Sequence, residues 1–213
     1  MQLKFKEILA PYLPPQTLEQ VVNYIILHKI QLRITRNRRS KLGDYRAPGR
    51  TNAHRITING TLNPYYFYLV FLHELAHLVV WTKYQHRVSP HGKHWRSEMA
   101  ALLLTSVQEG LFPKDLETLI IKYTSNIKAT FASSPDLWRY LNADEEGDSA
   151  ILESVPINTY FVASNGRLFK KEEKLRKKYR CYCLTNRRRY LFHPFAAIRV
   201  VKEDELSEMI ENN

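Results

Sequence analysis

The sequence predicts an α+β protein in two parts, helices packed on a small antiparallel sheet followed by a small all-β module. Three observations carry that prediction. Apolar residues recur at helical spacing in residues 15–30 and 91–107 and run almost unbroken from Tyr65 to Trp81, whereas short alternating runs with turn residues between them fill 31–59. Beyond residue 155 the period changes to alternation, and Asn165-Gly166 stands between two such runs as a strong hairpin signal.

In chain order, two short helices are expected over 2–10 and 15–30, separated by Pro11, Pro14 and Pro15. Residues 31–35, 44–46 and 54–59 read as strands whose Leu32, Ile34, Ile56 and Ile58 face the helices. An edge of such a sheet suits an extended peptide held by main-chain bonds. Asn63-Pro64 is an N-cap residue followed by proline at the first helical position, and Tyr65 to Trp81 is apolar nearly throughout, so this helix should be buried on most sides. A further helix over 91–107, with Trp95, Met99, Leu102, Leu103 and Ser106 inward, ends at Gly110, and Pro113 opens another that runs to about Tyr123. The polar, acidic stretch 142–155 reads as a linker between a domain at 1–141 and a basic β-module at 156–201, with an acidic tail at 202–213.

The informative residues in the apolar helix are His73, Glu74 and His77. Positions i and i+4 of a helix share a face, so the two imidazoles converge on one point. Zn²⁺ takes neutral imidazole nitrogen, and a catalytic site usually has three protein ligands with one position open to water. Glu74, next to the first imidazole, is placed as general base for such a water. The third ligand is open on spacing alone. One pattern puts Gly three and His six residues after the second His; Val80 and Lys83 stand there, which excludes it. Glu98 on the next helix and His86, His91 and His94 remain candidates.

The run His73-Glu74-Leu75-Ala76-His77, with His91-Gly92-x-x-Trp95 after it and Arg39-Ser40-Lys41-Leu42-Gly43 and Ile56-Thr57-Ile58-Asn59 before it, resembles the SprT-like zinc metallopeptidases, which include the Spartan-type proteases. The resemblance spans residues 5 to 125 and implies a zincin-like catalytic domain. It implies His73, His77 and His91 as zinc ligands, Glu74 as the base, and Glu98 as the runner-up ligand. It also implies substrates that include proteins attached to DNA. Trp95 is expected to pack and to fix the turn at His91. Many members of this family carry a C-terminal zinc ribbon with two cysteine pairs, from which this chain departs. Cys181 and Cys183 are its only cysteines, at i and i+2 on one strand face, and they read as buried free thiols.

The formal net charge is +11, from 32 Lys and Arg against 21 Asp and Glu, so an anionic partner, DNA above all, is a candidate. One basic cluster includes Arg36, Arg38, Arg39 and Lys41; another, around Arg187, Arg188 and Arg189, is interleaved with Phe169, Tyr179, Tyr182 and Tyr190, a combination suited to phosphates and stacked bases. The alternative for both is a solvated basic face. No disulfide framework, signal peptide or membrane span is read from the chain, and a monomeric cytoplasmic zinc endopeptidase with a protein or peptide substrate is expected. The competing expectations are a nucleic-acid-binding protein with a structural or vestigial metal site, or a peptidase that acts without DNA.

Overall fold

The computed structural model describes residues 2–36, 38, 41–49, 53–85, 87–142, 149–163 and 165–211. The chain forms two compact units, 1–129 and 130–213. Each has its own sheet and its own core.

In the first unit, α1 (Gln2–Leu9) and α2 (Leu18–Leu27) precede β1 (Ile30–Thr35), β2 (Gly43–Arg46) and β3 (His54–Asn59); α3 (Pro64–Tyr84), α4 (Lys93–Gln108) and α5 (Lys114–Thr124) follow. The sheet order is β1-β3-β2. β2 is antiparallel to β3 as expected, but β1 runs parallel to it, so the sheet is mixed rather than antiparallel throughout. Alternation reveals a strand's faces but not its direction, and here β3 inserts between two strands that are consecutive in sequence. β2 is consequently an edge strand. In the central strand, Ile56 and Ile58 are fully buried.

α3 is the spine of this unit. The Asn63 side chain accepts from the Tyr66 N–H at 2.8 Å, and Pro64 occupies the first turn. Twelve of its residues are buried, including every position from Tyr66 to Leu72, which leaves little polar surface for solvent. α4 packs against it through Trp95, Met99 and Leu103, and buried Ser106 meets the Tyr68 hydroxyl at 2.7 Å.

The second unit contains α6 (Pro135–Leu141), β4 (Ser149–Ile151), β5 (Tyr160–Ala163), β6 (Leu168–Lys174), β7 (Tyr179–Cys183), β8 (Arg189–Phe192), β9 (Ala197–Val200) and α7 (Glu203–Glu211). The strands form one sheet in the order β4-β9-β5-β6-β7-β8, with antiparallel pairing throughout. Gly166, at φ +78°, turns the chain between β5 and β6, as the Asn-Gly pair requires. Within the segment read as a linker, 149–151 pairs with β9, and Ile151 and Leu152 are buried; 143–148 lie outside the described residues. The tail forms α7, anchored by an ion pair from Arg199 to Glu205 at 2.7 Å.

Cys181 and Cys183 are free and fully buried, in a core with Phe161, Phe169 and Ile198. Their i, i+2 spacing puts both thiols on the inner face of β7, where they pack as small apolar groups. Burial pushes the Cys181 thiol up to about 11. Beside them lies Lys171, 2% exposed. Its Nζ donates to the carbonyls of Leu152 at 2.7 Å and Val155 at 2.6 Å, and it sits 3.8 Å above the Tyr179 ring. A buried cation is tolerated only when its donors are satisfied, and this one ties β6 to the turn that follows β4. Among the described residues, no helix is long and apolar enough to cross a membrane.

Candidate metal centre and active site

α3 presents His73 and His77 on one face and Glu74 beside them. The turn before α4 supplies the third imidazole: the Gly92 N–H donates to the Ser89 carbonyl at 3.0 Å and the Arg96 N–H to the Gly92 carbonyl at 3.1 Å, which folds His91 back over α3. His91 Nε2 then lies 3.1 Å from His77 Nε2 and 3.2 Å from His73 Nε2. One imidazole nitrogen, with a single proton or a single lone pair, cannot make good hydrogen bonds to both neighbours at once. Three nitrogens bound tetrahedrally to zinc at 2.0–2.1 Å would stand roughly 3.3–3.4 Å apart, so this spacing fits one shared cation far better than mutual hydrogen bonds. Among the described residues these three form the group able to hold a metal ion, with all three ligand atoms within 4.8 Å of one another.

The electrostatics point the same way. Burial, reinforced by the neighbouring imidazoles, lowers His73 to about 3 and His77 to about 4, and burial lowers His91 as well. All three are thus neutral at physiological pH, the form that ligates a metal. Glu74 is 7% exposed, and burial with the nearby charge of Asp44 raises it to about 8, whereas the Tyr45 N–H, Lys41 and Arg38 pull it the other way. A base of this strength is matched to proton transfer near neutral pH.

Trp95 lies beneath the whole cluster. It is fully buried, its ring centroid is 4.7 Å from that of His73, 5.5 Å from His77 and 4.8 Å from His91, and its Nε1 donates to the His73 carbonyl at 3.4 Å. It fixes the His91 turn by packing, as read from the sequence. The other candidate ligands are engaged elsewhere. Glu98 pairs with Lys83 at 2.6 Å, bridging α4 to α3, and the His94 ring packs on Tyr84 at 4.3 Å. His86 lies outside the described residues.

The cleft in front of the cluster has a volume of about 630 Å³ and is walled on one side by β2, with Gly43, Asp44 and Tyr45 facing the histidines and Glu74. A Cβ at position 43 would lie 2.5 Å from Glu74 Oε1 and 2.7 Å from Val70 Cγ1, so only glycine lets this edge strand approach the base so closely. The loop before β2 is braced from β3: the buried Asn59 amide donates to the carbonyls of Arg38 and Lys41, and the Arg38 side chain donates to Asn59 Oδ1 at 2.9 Å and Thr57 Oγ1 at 3.1 Å. The sequence carries little sign of this brace, since Asn59 reads there as an ordinary strand residue. The motif Ile56-Thr57-Ile58-Asn59 held the only signal, because a fully polar Asn at the end of a buried strand needs partners.

The basic candidates are in differing states. Arg38 is occupied by that brace, Lys41 pairs with Asp44 at 2.7 Å, and Arg36 is exposed; Arg39 lies outside the described residues. In the second unit Arg187, Arg188 and Arg189 are exposed at the β7–β8 turn, where Arg189 pairs with Glu172 at 3.0 Å.

No curated protein and no solved structure matches the chain. The model of the SprT-like family matches residues 15–111, a span that includes β2, the HELAH helix α3 and the His91 turn, and this is the family that the first unit is similar to.

Proposed function

We propose that the protein is a zinc-dependent endopeptidase. The observation that carries this reading is the convergence of three neutral imidazoles beside a buried carboxyl in an open cleft walled by an edge strand. His73, His77 and His91 would hold the metal. When bound, zinc would polarise the scissile carbonyl and acidify a water molecule. Glu74 accepts the proton from the attacking water and later passes it to the leaving amine. The free edge of β2 holds an extended peptide across the cleft by main-chain bonds. Glu74→Gln keeps the shape of the base but removes its proton-accepting power. In that variant zinc content should match wild type, and peptide hydrolysis should fall by about 10²- to 10⁴-fold. Near-normal turnover would contradict the mechanism.

DNA-associated proteins are the substrate class that the exposed arginines of the second unit favour. Among the described residues Arg187 and Arg188 make no ion pair, and Tyr182 and Tyr190 beside them are partly exposed, whereas Phe169 and Tyr179 are buried in the core and closed to stacking. Neutralising both should weaken binding to single-stranded DNA and flatten its salt dependence. If neither changes, the reading becomes a peptidase without a nucleic-acid partner. If DNA binds and no protein is cleaved, the metal site has a structural or vestigial role.

A further inference from the structure

Half of the cleft is left unused by the chemistry above. Val80 and Trp81 follow His77 by three and four positions on α3, so they share its face one turn further on. Together with Ala47, Val88 and Pro90 they line this side of the cleft. The indole is held in place: the His54 ring meets it edge-on at 5.3 Å, and the Tyr45 hydroxyl hydrogen-bonds His54 Nδ1 at 2.9 Å. The Trp81 N–H is buried and out of reach of the cleft, so the indole presents ring carbon there. Asp44, the one lining carboxylate besides Glu74, is already paired with Lys41 and Arg46, and Gln85 is the lining residue with an uncharged amide.

We propose that this apolar half is a specificity pocket for a large apolar side chain of the substrate, one or two residues from the scissile bond. The proposal rests on the peptidase reading. One helical turn rises 5.4 Å, whereas an extended peptide advances about 3.3 Å per residue. A peptide with its scissile carbonyl at the histidines therefore brings its first or second neighbouring side chain to Trp81. A Phe or Leu there exchanges water for contact with Val80 and Trp81. An Asp or Lys surrenders hydration and meets no free opposite charge, with the Gln85 amide as the uncharged polar group on the lining.

The test uses the full zinc-loaded chain and fluorogenic peptides that differ only in the two residues on either side of the cleaved bond. At one position Phe and Leu should exceed Gly, Asp and Lys in kcat/KM by about 10- to 100-fold. Trp81→Ala should compress that preference to within about threefold, whereas Trp81→Phe should retain it. Zinc content of each variant reports whether its site is intact. Val88→Lys, on the loop side of the pocket, gives an independent reading and should shift the preference toward Asp. Equal rates on all peptides, or a preference unchanged in both Trp81→Ala and Val88→Lys, would overturn the pocket while leaving the peptidase reading in place. If wild type cleaves none of the peptides, the peptidase reading itself falls, and the pocket with it.

Discussion

Two clusters in this chain carry the residue types that bind metals, three imidazoles in the first unit and two thiols in the second, and the fold uses them in opposite ways. The histidines turn their ligand nitrogens toward one another at the mouth of a cleft, with a raised carboxyl beside them. Cys181 and Cys183 turn inward among phenylalanines and isoleucine, and the cation nearest them is Lys171, saturated by two carbonyls and an aromatic face. Buried polar groups that are fully partnered hold a fold together. Groups left facing an opening, with chemistry unsatisfied by the protein, mark where a ligand belongs.

The comparison can be broken most severely at Glu74, where Glu74→Gln should cost the activity stated above and nothing in metal content; a parallel loss of zinc would make Glu74 architectural. Next in size is Lys171→Met, which leaves the buried Leu152 carbonyl and the part-buried Val155 carbonyl without their donor. It should lower the stability of the second unit by about 2–4 kcal/mol in denaturant titration and leave zinc content unchanged. Gly43→Ala inserts a methyl group against Glu74 and Val70, and should reduce kcat by about tenfold or more with zinc retained, since the neighbouring strand and base must shift. In the opposite direction, Glu98→Ala removes only a half-exposed ion pair and should change stability by less than about 1 kcal/mol, with activity and zinc preserved.

A pH titration sharpens the contrast further. His73 and His77 have folded-state values of about 3 and 4, below the ordinary 6.5 of an unfolded chain. Between those limits the unfolded state binds more protons, so stability rises with pH and is lost as pH falls. The metal-free chain should therefore show a falling Tm from about pH 6.5 toward pH 4. Replacing both histidines with Asn should make that fall shallower, and an unchanged slope would mean that these imidazoles are not desolvated as described.

Much of the site was legible because its decisive spacings are local. The i, i+4 histidines, the Asn63-Pro64 cap and the Gly92 turn each depend on a few adjacent residues. Features that depend on what lies opposite were not legible. The Gly43 approach to Glu74, the Asn59 and Arg38 brace, and the parallel pairing of β1 with β3 arise from tertiary contacts for which alternation has no symbol. In the second unit the Asn165-Gly166 hairpin was evident, but β6 extends through Lys170-Lys171-Glu172-Glu173-Lys174, a charged run that reads as solvent-exposed. Its inward lysine is satisfied by carbonyls from a distant turn, so burial there could not be read from polarity. β4 was hidden because three residues are too few to show a period, and α7 because its apolar Leu206, Met209 and Ile210, though at helical spacing, stand in a run dominated by acidic residues.

The most direct measurement is zinc content per purified chain in wild type, His91→Ala, Glu98→Ala and Cys183→Ala. One zinc per chain in wild type, kept in Glu98→Ala and Cys183→Ala and lost in His91→Ala, is the predicted result. A wild-type chain purified without chelators that carries no zinc, or one that keeps its zinc without His91 or loses it with Cys183, would contradict the three-histidine centre on which the account depends.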